Sequence, residues 1–407
     1  MPRTLWTRNF TIITLGTVIS AIGGVAMSFA LSFVVFDNTG STLLMGIFSA
    51  VSLLPHTLIP VLAAPYLDNF RRKPVIVGLD YFNGCVYLLM GVYLLSHSFQ
   101  MGLYLAFSLL VNTTGAIYQL AYNSLYPNLI PPGFAQKGYT VSGMLYPTVI
   151  MVMTPVASVL YTGVGLPVIC MGEGVLLLLA ATVETQIRVE ETVGRGGRFS
   201  FRDYLADFRE GSHYLSREKG LLRIYTYMPL TQGLSTGTSN LVTAYFRTTP
   251  GLDMTMYAFF TTVEFIGRTL GGLVHYRFTI PPKRRFSLAY LVYQIYSVMD
   301  ALLLWLPYPL MLANRALCGF LGINSATLRE SSVQNYLPDN MRAKVNAVFN
   351  ALMSLSSLVF SLGVGALGEV VDYRAAMTIL NLVLVAVCWW VMWRGRADVK
   401  AVYDRPV

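Results

Sequence analysis

The chain has 407 residues, 55% of them hydrophobic and only 12% charged, with a mean hydropathy of +0.56. That balance lies outside the range of soluble globular domains and excludes an ordinary water-soluble fold. A formal charge of +9 raises the question of nucleic acid, but the cations sit in short loops rather than on one face, so no nucleic-acid partner is expected.

Apolar runs of about 20 residues recur along the whole chain, long enough as helices to cross a bilayer's hydrocarbon core. The first, Thr11 to Phe36, follows Arg3 and Arg8; it is too long for the apolar core of a secretory leader, and many more runs follow. In order, spans are expected near 11–36, 43–66, 74–96, 101–125, 139–161, 166–187, 221–246, 255–276, 286–306, 308–330, 345–368 and 375–393. With the N-terminus in the cytoplasm, the inner segments hold 23 Lys and Arg, while the outer loops hold only Arg247 and Arg374. Arg223, Arg268, Arg315 and Arg329 lie within or at the edges of spans. This asymmetry puts both termini on the cytoplasmic side of a multi-pass cell-membrane protein.

Cys85, Cys170, Cys318 and Cys388 all fall in apolar runs without CxxC pairing, which argues for packing rather than disulfide, metal or redox chemistry. No P-loop, GxSxG or HExxH occurs, so neither ATP-driven transport nor hydrolysis has motif support, and no cofactor is expected.

The two halves repeat. Asn128-Leu-Ile-Pro-Pro aligns with Asn335-Tyr-Leu-Pro-Asp at an offset of 207 residues, which also matches Lys137 with Lys344 and Pro74 with Pro281. Both copies start on the cytoplasmic side, so the repeat is parallel. The expected fold class is all-α integral membrane: twelve transmembrane helices in two pseudo-symmetric six-helix bundles, 1–187 and 220–407, joined by a cytoplasmic linker at 188–219. Within the linker, Phe201, Tyr204, Leu205, Phe208 and Leu215 fall at helical spacing. This describes either a helix lying on the inner leaflet or a solvated linker helix.

Four stretches carry a family resemblance: LDNFRRKP after span 2, NLIPPGFAQKGYTVSG after span 4, FREGSHYLSREKGLLRI before span 7 and NYLPDNMRAKVNAVFNAL before span 11. With the hydropathy pattern they make the chain resemble the major facilitator superfamily, and within it the macrolide-efflux-like drug:proton antiporters. The resemblance implies a major facilitator fold, alternating access and a cytoplasmic gate. Asp68, Arg72 and Lys73 occupy that gate's charged positions, beside Arg71 and with Asp80 in the same charge cluster. Asp68 could face the positive N-terminal end of span 11 near Lys344; alternatively, the cations only enforce topology. The second-half copy carries His275 at the Asp position, and the antiporter signature in span 5 reads Thr154-Pro155-Val156-Ala157-Ser158, without its glycines.

Ionisable groups inside apolar spans are costly and mark function by default. Glu264 lies in span 8 with Arg268 one turn later, as a carboxylate that carries a proton between the two sides or as a static pair. Asp300 and Arg315, at similar depth in spans 9 and 10, form either a coupling pair or a structural one. Glu173 lies in the outer part of span 6 and is a second proton candidate, and His56 in span 2 either titrates or simply bonds a neighbour. A central cavity would draw on Asn112, Tyr118, Tyr122, Tyr146, Met151, Met153, Gln232, Asn240, Tyr257, Phe259, Phe260, Asn324, Phe349 and Met353. Such aromatic and Met surfaces suit a broad-specificity amphipathic substrate, and they are equally ordinary packing residues. The expected activity is proton-coupled efflux of hydrophobic or amphipathic drugs by a monomer. Export of a native metabolite, siderophore or lipid-like molecule, or a transport-inactive sensor or scaffold, are the alternatives.

Overall fold

A computed structural model describes residues 4–67, 70–189, 201–277 and 280–404. They are almost wholly helical: α1 (Arg8–Thr39), α2 (Thr42–Leu67), α3 (Arg72–Leu94), α4 (Met101–Leu129), α5 (Ala135–Gly163), α6 (Gly165–Glu184), α7 (Phe201–Arg217), α8 (Lys219–Thr248), α9 (Met254–Arg277), α10 (Pro282–Leu302), α11 (Tyr308–Tyr336), α12 (Asp339–Val370), α13 (Tyr373–Cys388) and α14 (Arg396–Tyr403). Helix is what an apolar run must form where no water can satisfy the backbone. The ends follow local chemistry. Thr7 Oγ1 accepts from the Phe10 amide to open α1, and Gly40, at φ 64°, closes it in the left-handed region.

Among the described residues, nine helical segments are long and apolar enough to cross a membrane. The long helices outside that set are α8, α9 and α11. Their sequences give the reason: α8 carries eight Ser and Thr with Gln232 and Asn240, α9 carries Glu264 and Arg268, and α11 carries Arg315, Arg329 and Glu330. That polar load includes Glu264, Arg268 and Arg315, three of the groups expected to work at membrane depth.

Contacts divide the chain into two compact units: residues 1–40 with 51–199, and residues 41–50 with 200–407. In unit 1, α6 packs on α3 and α1, α5 on α1, and α4 on α3. Unit 2 repeats this pattern, with α13 on α10, α12 on α8 and α11 on α10; α9 packs along α11. One end of unit 1 is held by Phe10, Ile13, Ile76, Leu125, Tyr126 and Ile187.

The first turns of α2 group with unit 2. Thr42 Oγ1 donates to Gly365 O at 2.8 Å, and Glu369 accepts from the Leu43 amide at 2.9 Å and from Ser41 Oγ at 2.7 Å. The last helix, α14, lies beyond the final apolar run, yet Val399, Val402 and Tyr403 are fully buried. The Tyr403 hydroxyl lies 2.9 Å from that of Tyr293. Helix α7 is docked rather than free. Leu215 is buried, Phe208 and Tyr214 pack on the same core, and Lys344 of α12 bridges Asp207 and Glu210 at 2.8 and 2.7 Å. Leu205, 54% exposed, points away from that core.

Candidate functional site

The charged residues of unit 2 converge. The backbones of α9 and α11 touch where Gly267 meets Ala316 O and Gly319 meets Glu264 O; a Cβ at either glycine would overlap the opposing carbonyl. That close approach, available only to small residues, sets Glu264 beside Arg315. Glu264 Oε1 accepts from Arg268 Nη2 at 2.8 Å and Nε at 3.2 Å, while its Oε2 lies 3.6 Å from Arg315 Nη1. Arg315 also pairs closely with Asp300 Oδ1. The guanidinium carbon of Arg315 stands 5.3 Å from the centroid of the Phe260 ring. Two carboxylates therefore face two guanidiniums, with Arg315 and Asp300 almost sealed at 9% and 11% side-chain exposure and Arg268 half open at 49%.

Arg268 and Asp300 reach a cavity of about 250 Å³ lined by α8, α9, α10, α11, α12 and α13. Its wall mixes Gln232, Thr231 and Ser235 with Tyr227, Tyr293, Tyr296 and Met353, so hydrogen-bonding groups and aromatic faces share one space. The other second-half candidates are dispersed. Tyr257 receives a hydrogen bond from Thr243 at 3.3 Å and stacks near Phe246 and Phe260. Asn240 Oδ1 accepts from Ser49 at 3.3 Å. Asn324 bonds His275 at 3.2 Å on the wall of a separate apolar cavity. Phe349 packs into the core against Tyr225, with ring centroids 4.3 Å apart.

Unit 1 has a different character. His56 Nε2 lies 3.2 Å from Asn112 Oδ1, Asn112 Nδ2 donates to Ser108 O at 2.8 Å, and Ser108 Oγ lies 2.7 Å from Ser52 Oγ: a hydrogen-bonded chain that includes no Asp, Glu, Lys or Arg. Ser108 is the repeat partner of Arg315, so this chain stands where unit 2 has its ion network. The Tyr118 hydroxyl reaches Glu184 Oε1 at 3.5 Å, and Tyr122 receives a bond from Thr17 at 3.2 Å. Tyr146 is 51% exposed. Glu173, Asp80 and Glu184 are all buried. Glu184 went unread in the sequence, although its spacing of eleven residues from Glu173 puts the two on one helical face.

Asp68 lies outside the described residues. Of its neighbours, Lys73 Nζ donates to Thr185 O at 2.8 Å, and Arg71 and Lys73 line an open groove of about 770 Å³ with Thr185 and Arg188. Within unit 2, Lys344 at the start of α12 is engaged by Asp207 and Glu210.

No family model matches the chain. It is 23% identical over 240 residues to Macrolide efflux protein A of Streptococcus pyogenes and to that of its serotype M6 strain, a match covering 55% of this chain and 57% of each relative. Among solved structures, the nucleoside transporter NupG superposes with a TM-score of 0.69 at 12% identity, over 95% of this chain and 99% of that one. A bacterial homologue of the human lysosomal transporter Spinster gives 0.66 at 13% identity over the full length of both chains. A bacterial homologue of the iron transporter ferroportin gives 0.64 at 15% identity, over 98% and 99%. The fold is thus shared with these solved membrane transporters, and with nine apolar spans among the described residues the chain is a multi-pass membrane protein.

Proposed function

Taking a transporter fold as the premise, we propose that the chain is a secondary active transporter of the cytoplasmic membrane. It exports hydrophobic or amphipathic drugs in exchange for protons, by alternating access of two bundles with twelve spans and cytoplasmic termini. The observation that carries this reading is the cavity beside the unit 2 ion network. Three of the helices that meet there, α8, α9 and α11, are the polar ones, and tolerating such helices in a bilayer is costly unless they line a substrate path.

Arg268 couples the two parts of that site. It lines the cavity and holds Glu264, and Glu264 in turn touches Arg315. A substrate that displaces Arg268 therefore disturbs the whole network. The mixed aromatic, Met and hydroxyl wall suits a large amphipathic molecule, and the likeness to a macrolide efflux protein favours a drug. Asp68, Arg71, Arg72 and Lys73 are assigned to the cytoplasmic gate. The cavity's size favours a second reading. About 250 Å³ falls below the roughly 300–1,000 Å³ usual for drug-sized ligands, which fits export of a smaller native metabolite.

Proteoliposomes loaded with an amphipathic fluorescent dye and given an imposed pH gradient test the proposal. Gradient-dependent dye movement, reduced by Arg268→Gln, is expected. Movement indifferent to the gradient would overturn proton coupling. Ligand-induced stabilisation without movement would make the chain a sensor rather than a transporter.

A further inference from the structure

The unit 2 network balances its own charge, which leaves open where a driving proton would reside. Unit 1 contains three carboxylates that the ion network does not touch: Asp80 of α3 and Glu173 and Glu184 of α6, with 3%, 4% and 0% of their surface exposed. Each has an oxygen without a hydrogen-bond partner: Asp80 Oδ2, Glu173 Oε2 and Glu184 Oε2. None of the three is in an ion pair among the described residues.

Their placement follows from helix packing. Glu173 and Glu184 stand three turns apart on one face of α6, roughly 16 Å along its axis. That face lies on α1, where Gly23 and Gly16 leave the space; a Cβ on Gly23 would overlap Glu173 Oε2, and one on Gly16 would overlap Glu184 Oε1. Asp80 falls between them in depth. The antiparallel register of α3 and α6 is fixed by Gly84 against Gly174 and Leu178, and by Gly91 against Pro167 and Met171. This register sets position 80 near position 180, and the Tyr81 hydroxyl, 3.1 Å from Thr182 Oγ1, agrees. Asp80 is close enough to act electrostatically on both glutamates.

Apart from one another, the three carboxylates have only tyrosines and a thiol within electrostatic reach among the described residues, Tyr118 being the one that feels Asp80. Glu173 meets Tyr87 of α3, Cys170 of its own helix and Tyr146 of α5. Glu184 lies within reach of Tyr118 and Tyr122 of α4, and Gly23 and Gly16 of α1 lie against Glu173 and Glu184. Lys73, at the start of α3, has its Nζ bound to Thr185 O at the end of α6. An ionised carboxylate with an unpaired oxygen in such surroundings costs several kcal/mol, and a bound proton removes that cost. A metal ion does not fit, because the groups are strung out along the helix and no trio of His, Cys, Asp and Glu among the described residues is arranged to hold one.

We propose that Glu173, Asp80 and Glu184 form a proton-carrying ladder inside unit 1, the site at which the driving protons of the proposed antiport are held. The ladder rests on the proton-coupled reading above. Each carboxyl gains a proton from water on one side and loses it to water on the other, with no other bond made or broken.

Infrared difference spectroscopy of the purified protein across pH reads these carboxyls directly, without requiring transport. The wild type should show a protonated-carboxyl C=O band, and Glu173→Gln, Asp80→Asn and Glu184→Gln should each delete part of it. Glu264→Gln should leave that part intact. Gly23→Ala, which crowds Glu173 without removing it, should shift the Glu173 component in frequency or in pH midpoint. An unchanged band in folded Glu173→Gln and Glu184→Gln proteins would overturn the ladder. A wild type that shows the band but moves no dye under a pH gradient would instead overturn the efflux reading and leave the ladder standing. Loss of gradient-driven movement in the ladder variants, with their melting temperatures kept, would support both.

Discussion

Asp300→Asn tests the unit 2 network at its most enclosed point. The change keeps side-chain volume and removes the closest negative charge from Arg315, a guanidinium with only 9% of its side chain exposed. Breaking a buried ion pair from one side costs about 3–5 kcal/mol, because the remaining charge stays behind without its partner. Glu264 Oε2 stays within 3.6 Å of Arg315 but is shared with Arg268, so the lower end applies, about 3 kcal/mol. For a unit of about 200 residues, 1 kcal/mol corresponds to roughly 2–4 °C in melting temperature, giving a fall of roughly 6–12 °C. Arg268→Gln is the control. That arginine is half exposed and pairs only one turn away, so its removal should cost about 0.5 kcal/mol or less. The double change Asp300→Asn with Arg315→Gln removes the stranded charge as well, and the pair should show a coupling of about 1–3 kcal/mol. The protein's own thiols supply the assay. Cys85 is exposed, while Cys170, Cys318 and Cys388 are 0% exposed, so labelling of the last three by a thiol-reactive dye on heating follows unfolding. If Asp300→Asn melts no more than about 2 °C below wild type, Arg315 does not depend on Asp300 and the network's energetic reading is refuted.

Glu369→Ala removes the acceptor for Ser41, Thr42 and the Leu43 amide; the same thiol assay should report a loss of about 1 kcal/mol, with Glu369→Gln losing less. Lys344→Ala releases Asp207 and Glu210 from two part-exposed pairs worth together about 1 kcal/mol. Amide exchange across α7 should then rise about fivefold while global melting stays put. His56→Gln keeps a donor for Asn112, and the pH dependence of dye movement should be that of the wild type if His56 serves only to bond its neighbour. A shifted profile would return His56 to the coupling groups.

Much of this was legible because bilayer physics writes itself into composition. The apolar runs gave the helices, and the charges left inside them gave Glu264 with Arg268 and Asp300 with Arg315, one pair from helical spacing and the other from matched depth. The contact between Glu264 and Arg315 was not legible. It depends on how closely α9 and α11 approach at Gly267 and Gly319, a tertiary fact that a single glycine in a helix does not announce. Glu184 was hidden by position, since near the end of a span a carboxylate reads as one reaching water. Its fully buried state comes from Gly16 on another helix. Helix α14 was missed because a short amphipathic segment after the last apolar run gives no membrane signal, and its burial depends on α8, α10 and α11 being there to receive it. The contact expected between Asp68 and the start of α12 falls on a residue outside those described; within unit 2, Asp207 and Glu210 engage Lys344.

The halves repeat in sequence and in packing, yet they treat buried charge in opposite ways. Unit 2 places Arg315 where unit 1 has Ser108, and it surrounds that arginine with Glu264 and Asp300. Unit 1 keeps carboxylates on α3 and α6, while in unit 2 the segment 373–393, which packs as α6 does, contains no acidic residue and buries Asn381 instead. A balanced set of ions can rearrange around a substrate but has little reason to exchange a proton, because every carboxylate already has a cation. An unpaired set has no such partner, and a proton is the smallest ion that can neutralise it. On the proposed reading, this divergence assigns substrate sensing to unit 2 and proton holding to unit 1. It follows that moving one cation into unit 1 should damage coupling more than binding. Ser20, whose buried Oγ has no hydrogen-bond partner, lies on α1 between Gly16 and Gly23. Ser20→Lys there should abolish gradient-driven dye movement while ligand-induced stabilisation persists, and unchanged movement would refute the division.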